Sequence, residues 1–142
     1  MKRYIIVLSI IVLFIIAFSC EKGVLTLEVN CGDCWVPEPD SFDLSVDLTI
    51  SSEYDSVVYL QFYKGNVESG ELIGNPEVVT TPRFYYLVPV NEDYSVEASY
   101  CKDGKTIIAI DGDKIVSQYN ADACDKPCWI IKGGLLDVRM KY

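Results

Sequence analysis

The 142-residue sequence predicts an all-β fold, an antiparallel β-sandwich of about seven to nine short strands. Three observations carry that reading. Apolar and polar residues alternate with period two over much of residues 24–142, the pattern of strands that bury one face. Gly, Asp, Asn and Pro punctuate these runs at short intervals, as turns do. Beyond the first twenty residues no stretch keeps a helical period for three turns.

Taken in order, Leu25, Leu27 and Val29 share one face, with Thr26, Glu28 and Asn30 on the other. Phe42, Leu44, Val46, Leu48 and Ile50 then alternate with Asp43, Ser45, Asp47 and Thr49. Residues 57–63 are β-branched and aromatic, and Lys64-Gly65-Asn66 ends them. Gly74-Asn75-Pro76 reads as a turn and 78–80 as a short edge strand. Residues 84–90 follow as the next strand. Tyr94, Val96, Ala98 and Tyr100 alternate with Ser95, Glu97 and Ser99, and Asp103-Gly104 supplies a tight hairpin into 106–110. Asp111-Gly112 reads as a second such turn, leading into 115–118. Residues 129–131 and 135–140 form the last strand or strand pair, interrupted at Gly133-Gly134 by a bulge or turn. The expected core is Leu27, Leu44, Val46, Leu48, Leu60, Phe62, Val88, Val96, Ala98, Ile108, Ile110 and Val138.

The first twenty residues are of another kind. Lys2 and Arg3 precede an apolar run over 4–18, which Ser19 and Cys20 end. A charged start and an apolar run shorter than the ~20 residues of a spanning helix read as a signal peptide. With residues 1–19 removed, roughly 120 residues remain, enough for a single domain.

Ala17-Phe18-Ser19-Cys20 resembles the lipobox of bacterial lipoproteins, with Ala17 where Leu is usual. The resemblance implies a cut before Cys20, a lipidated thiol there, a tether over 20–23 and a single sandwich domain over 24–142. Tyr94-Ser95-Val96-Glu97-Ala98, Gly104-Lys105-Thr106-Ile107 and Asp111-Gly112 look like the late hairpins of transthyretin-like and immunoglobulin-like domains. Together these features resemble the small lipoproteins of Bacteroidota. That likeness implies attachment to the cell envelope, at the outer membrane of a Gram-negative bacterium, facing the periplasm or the cell surface. It implies service in adhesion, surface assembly or glycan uptake, and transfers no family site residue.

Composition excludes several classes. The formal charge is −9, which argues against nucleic acid, since phosphate binding needs clustered Lys and Arg. The chain has no His, so a Ser-His-Asp triad, a His-paired catalytic Cys and a His-ligated zinc are impossible. No enzymatic constellation is present, and no cofactor is expected.

Besides Cys20 there are Cys31, Cys34, Cys101, Cys124 and Cys128. Cys31 and Cys34 open the domain, Cys124 and Cys128 nearly close it, and Trp35 and Trp129 directly follow the two pairs. In an exported chain such pairs read first as disulfides. Four thiols allow three pairings; Asp125 and Pro127 favour a local Cys124–Cys128 turn, which leaves Cys101 over. The matching tryptophans suggest that the two clusters are neighbours in space. A four-thiolate zinc site suits a reducing compartment better. A thioredoxin-like role for Cys31-Gly32-Asp33-Cys34 lacks its helix, because Pro37 and Pro39 follow at once.

Tyr59 with Tyr63, and Tyr85 with Tyr86, are candidate stacking residues for sugar rings, weighed against ordinary cross-strand cover. Asp111, Asp113 and Asp103 could offer oxygens to calcium, but the spacing is not that of an EF-hand, so no metal is assigned. The expectation is a membrane-anchored, non-enzymatic binding or adhesion module with an envelope protein or glycan as partner. The alternatives are a structural subunit of a surface complex, and a thiol-disulfide or metal-binding protein using the two cysteine pairs.

Overall fold

Alternating apolar residues become strands wherever two sheets can share them. In a computed structural model residues 30–54, 56–122 and 124–141 are described. The signal segment, Cys20 and the strand expected over 25–29, with its core candidate Leu27, lie outside them. The described residues form β1 (Cys34–Trp35), β2 (Ser41–Asp47), β3 (Val58–Lys64), β4 (Glu71–Val79), β5 (Arg83–Pro89), β6 (Glu92–Lys102), β7 (Lys105–Asn120), β8 (Cys128–Lys132) and β9 (Leu135–Asp137). Two three-residue 3-10 turns, Cys31–Asp33 and Ser52–Tyr54, complete the elements. The strands make a six-stranded sheet in the order β1-β8-β7-β6-β3-β4 and a three-stranded sheet in the order β5-β2-β9. All pairings are antiparallel except β2 with β9. The expected all-β sandwich is therefore the fold.

Its core fills the space between the sheets. Leu44, Val46, Leu48, Leu60, Phe62, Val88, Val96, Ala98 and Val138 are each at most 3% exposed, as the alternation requires. Tyr100, Ile115 and Leu136 join them. Phe62 of β3 stacks on Tyr86 of β5, with ring centroids 4.2 Å apart and planes 6° from parallel, so an aromatic pair ties one sheet to the other. Tyr100 is buried, donates its hydroxyl proton to the Val138 carbonyl at 2.8 Å and accepts from the Thr49 N–H at 3.3 Å. Burial raises its pKa.

Three expectations are corrected. Ile108 and Ile110 are 53% and 56% exposed. The Asp103-Gly104 turn, with φ of 51° and 70°, pairs Lys102 with Lys105 and therefore Ala98 with Ala109 and Tyr100 with Ile107. Paired residues share a face, so Ile107 and Ala109 go to the core and Ile108 and Ile110 to the outside. Asp111-Gly112 is no turn: β7 runs straight through it, pairing β6 and then β8. Gly74-Asn75-Pro76 is a bulge within edge strand β4, three residues opposite Gln61 alone. Pro76 is tolerated on such an edge, where a missing N–H does not break a ladder. Gly74 has a φ of 70°, and a Cβ there would meet the Tyr86 hydroxyl at 2.1 Å.

β9 is the closing piece. Gly133 and Gly134, with φ of 80° and 82°, carry the chain from β8 into the other sheet, and a Cβ on Gly133 would lie 1.9 Å from the Lys114 carbonyl oxygen. On the side away from β2 its N–H groups meet no strand among the described residues. Asp111 accepts from Asp137 N at 2.7 Å, and Asp113 accepts from Gly134 N and Leu135 N at 2.8 and 3.3 Å. The two carboxylates thus take the place of a neighbouring strand for these backbone donors. Asp103 stands at the far end of β7, about 27 Å away at strand rise, so the three aspartates do not form a cation site.

Asp47 and Asp137 are cross-strand partners in the parallel pair, where like charges repel. Each is held by its own arginine: Arg83 on Asp47 at 2.5 and 2.9 Å, Arg139 on Asp137 at 2.7 and 3.0 Å. The hydrogen bond from Arg83 lowers the Asp47 pKa, and that from Arg139 lowers Asp137 to about 2.

Two outcomes follow for stability. Leu60→Ala should cost about 2–5 kcal/mol by loss of buried contacts, whereas Ile108→Ala should stay within about 0.5 kcal/mol; urea unfolding of both variants reads the register directly. A carboxyl whose folded pKa lies below its unfolded value stabilises the fold above the unfolded pKa, near 3.9, and loses that contribution as pH falls through the folded value. Asp137→Asn should therefore lower the unfolding midpoint at pH 7, and by much less near pH 2, where about half of the folded chains still carry the charge. An equal deficit at both pH values would contradict the pairing.

Candidate functional site

The described residues gather chemistry in two places, a sulfur cluster at one end of the sandwich and an apolar row on the outer face of the larger sheet. The cluster is assembled by backbone pairing. β1 lies antiparallel to β8, with Cys34 opposite Ile130 and Trp35 opposite Trp129. On the other side of β8, Cys128 pairs with Asn120 of β7. Asn30 caps the turn Cys31–Asp33, its side-chain oxygen accepting from Gly32 N at 3.1 Å, which sets Cys31 before β1. Cys124 sits in the connection between β7 and β8.

Two bridges join the ends of the domain: Cys31–Cys124 and Cys34–Cys128, with Cα separations of 5.8 and 5.4 Å, ordinary for a disulfide. The expected local Cys124–Cys128 bond is corrected. The reason is pairing at a distance: β1 on β8 faces the first cluster toward the second, so each sulfur meets one from the other end of the chain. The expected proximity of the clusters holds. Cys101 lies on β6 opposite Thr106, outside both bridges.

The two bridges touch one another. Cys34 Sγ is 3.1 Å from Cys124 Sγ across them, and the sulfurs of Cys34, Cys124 and Cys128 all lie within 4.8 Å. A groove of about 690 Å3 opens over them, bordered by Val36, Asp122, Asp125 and Lys126. Cys128 is buried and Cys31 exposed. The tryptophans frame this end: Trp35 meets Phe42 edge-on at 6.2 Å, and Trp129 meets Tyr119 at 5.3 Å.

The tyrosines do not form one platform. Tyr59 and Tyr63 share the outer face of β3, opposite Leu60 and Phe62, as alternation requires. Tyr63 donates to Gln61 at 3.2 Å. Tyr85 is 58% exposed on the outside of the smaller sheet, while Tyr86 turns inward onto Phe62. Neighbours in sequence on a strand point to opposite faces, so the Tyr85-Tyr86 pair is divided between outside and core.

The outer face of the larger sheet instead carries aliphatic residues. Val78, Tyr59, Ser99 and Ile108 stand in one cross-strand row over β4, β3, β6 and β7. Val78, Tyr59 and Ile108 are 60%, 54% and 53% exposed, and Ile110 adjoins them. Sequence reading placed Ile108 and Ile110 in the core; counting residues outward from the Asp103-Gly104 turn was the signal that would have placed them outside. No family model matches the chain, and no curated protein or solved structure matches it either.

Each bridge closes a loop of more than ninety residues, with separations of 93 and 94. Such a loop is worth about 4.7 kcal/mol in the chain-entropy account. Because the bridges are nearly parallel, the second closes only the short ring left by the first, about nine residues and so about 2.6 kcal/mol. Removing either bridge alone by paired Cys→Ser changes should cost about 2.6 kcal/mol, and removing both about 7. Urea unfolding of the three variants checks this; losses that simply add, with each bridge contributing the long-loop value, would show that the two do not close a common loop.

Proposed function

We propose that this chain is an exported lipoprotein of the bacterial envelope that binds a protein partner, non-enzymatically, through the uncovered face of its larger sheet. The observation that carries the reading is the row of Val78, Tyr59 and Ile108, with Ile110 beside it, left exposed by the fold. Exposed apolar residues gathered on one sheet face, here with Ser99 between Tyr59 and Ile108, mark a contact site on a small domain. The row is chiefly aliphatic, which suits the apolar surface of a protein better than the faces of a sugar, and the divided tyrosines weaken the glycan reading. Export is supported by the two bridges, since such bonds persist outside the reducing cytosol. Anchoring rests on the lipobox-like residues 17–20, and the acidity of the chain keeps the domain off an anionic membrane surface.

A photo-crosslinking residue placed at Tyr59 or at Ile108 in cells should capture the same partner, and one placed at Tyr85 on the opposite side of the sandwich should not. Ile108→Lys with Ile110→Lys should abolish capture while leaving the unfolding midpoint within about 0.5 kcal/mol of wild type. Equal capture from both faces would remove this binding face. Metabolic labelling with palmitate should mark the wild-type chain and not Cys20→Ser; labelling that survives the substitution would remove the anchor.

A further inference from the structure

We propose that the four sulfurs of Cys31, Cys34, Cys124 and Cys128 form a zinc site in the reduced chain, and that the two bridges are its oxidised, metal-excluding state. Thiolates are soft ligands and select thiophilic cations such as Zn2+. A tetrahedral four-thiolate site has metal–sulfur distances of about 2.3 Å, which places its sulfurs about 3.8 Å from one another. Here three sulfurs already lie within 4.8 Å, the fourth is bonded to one of them, and 3.1 Å separates sulfurs of different bridges. Opening both bridges lets the paired sulfurs part to that spacing, and Cys31, which stands outside the group of three, swings inward to complete the site. The ligand spacings, two and three residues between the cysteines of each pair, fall within the range of zinc-binding loops.

The backbone places the second cysteine pair without S–S bonds, and brings β1 beside it by two pairs. β1 is held on β8 by the Cys34–Ile130 and Trp35–Trp129 pairs, and β8 on β7 by a ladder of five. After reduction β8 therefore stays on β7, and the ion takes over from the bridges in holding β1 against β8. The groove over the sulfurs is open to solvent, and Asp122 and Asp125 outweigh Lys126 on its border, leaving a net negative charge at the approach of a cation.

The conversion balances. Each bridge takes two electrons and two protons from an external dithiol, which leaves as its own disulfide, and two S–S bonds become four thiols. Binding Zn2+ then displaces four protons and leaves a tetrathiolate centre of charge −2, so affinity rises with pH. The site lies at the β1 end of the sheet and does not use Val78, Tyr59 or Ile108, so it stands or falls apart from the proposed binding face.

Co2+ is the probe, because four thiolates give it intense charge-transfer absorption and the visible bands of a tetrahedral centre. The full chain, reduced with a phosphine, should develop both with an end point of about one Co2+ per chain, and Zn2+ should bleach them. The oxidised chain should show neither. Cys101→Ser should behave as wild type, and Cys31→Ser, at an exposed position, should lose the four-thiolate spectrum while its far-ultraviolet sheet signal persists. If reduction weakens that sheet signal, Zn2+ should restore it. Failure of the reduced chain to take up Co2+, equal loss on Cys101→Ser, or metal uptake that leaves a weakened sheet signal unrestored would each overturn the proposal.

Discussion

The register of β7 against β6 is the constraint on which the rest of the molecule depends. A two-residue turn at Asp103-Gly104 sets it, and every consequence follows by counting along strands whose side chains alternate. Ile107, Ala109, Asp111, Asp113 and Ile115 face the smaller sheet, while Ile108 and Ile110 face away from it. One step of slippage would bury the wrong isoleucines and turn both aspartates outward. β9 would then have no acceptors for its N–H groups on the side away from β2, and the smaller sheet would lose its third strand.

The same strand explains why the cysteine cluster exists. β7 is 16 residues long, longer than β6 needs, and its last five residues pair with β8 rather than β6. That overhang extends the larger sheet beyond the sandwich core and leaves room for β1 at its edge. The first and last cysteine pairs meet there. A short strand of two residues would be marginal alone; the bridges to the β7–β8 connection and to β8 itself hold it, and β1 in turn covers an edge that would otherwise be open.

Much of this was legible in the residues. Period-two alternation identified the positions of β2, β3, β5 and β6 and nine of the core residues, because a half-buried strand has no other way to satisfy both faces. The Asp103-Gly104 hairpin and the Gly133-Gly134 break were readable because they need positive φ, which few residues supply. Gly74 and Gly112 misled for the same reason: glycine also serves a bulge, or a place where strand backbones come close, and Gly112 lies opposite Ser95 with Tyr94 O 3.2 Å from where its Cβ would be. Local pattern does not distinguish these uses.

The sequence by itself determined the β class, the alternation that divides each strand into an inner and an outer face, and the presence of two cysteine clusters each followed by tryptophan. Tertiary structure decided which sulfur meets which, that β9 enters the smaller sheet parallel to β2, and that Asp111 and Asp113 serve its backbone. The reason is range: alternation and turns are written within a few residues, whereas Cys31 and Cys124 are 93 residues apart, and only the stacking of strands brings such residues within bonding distance.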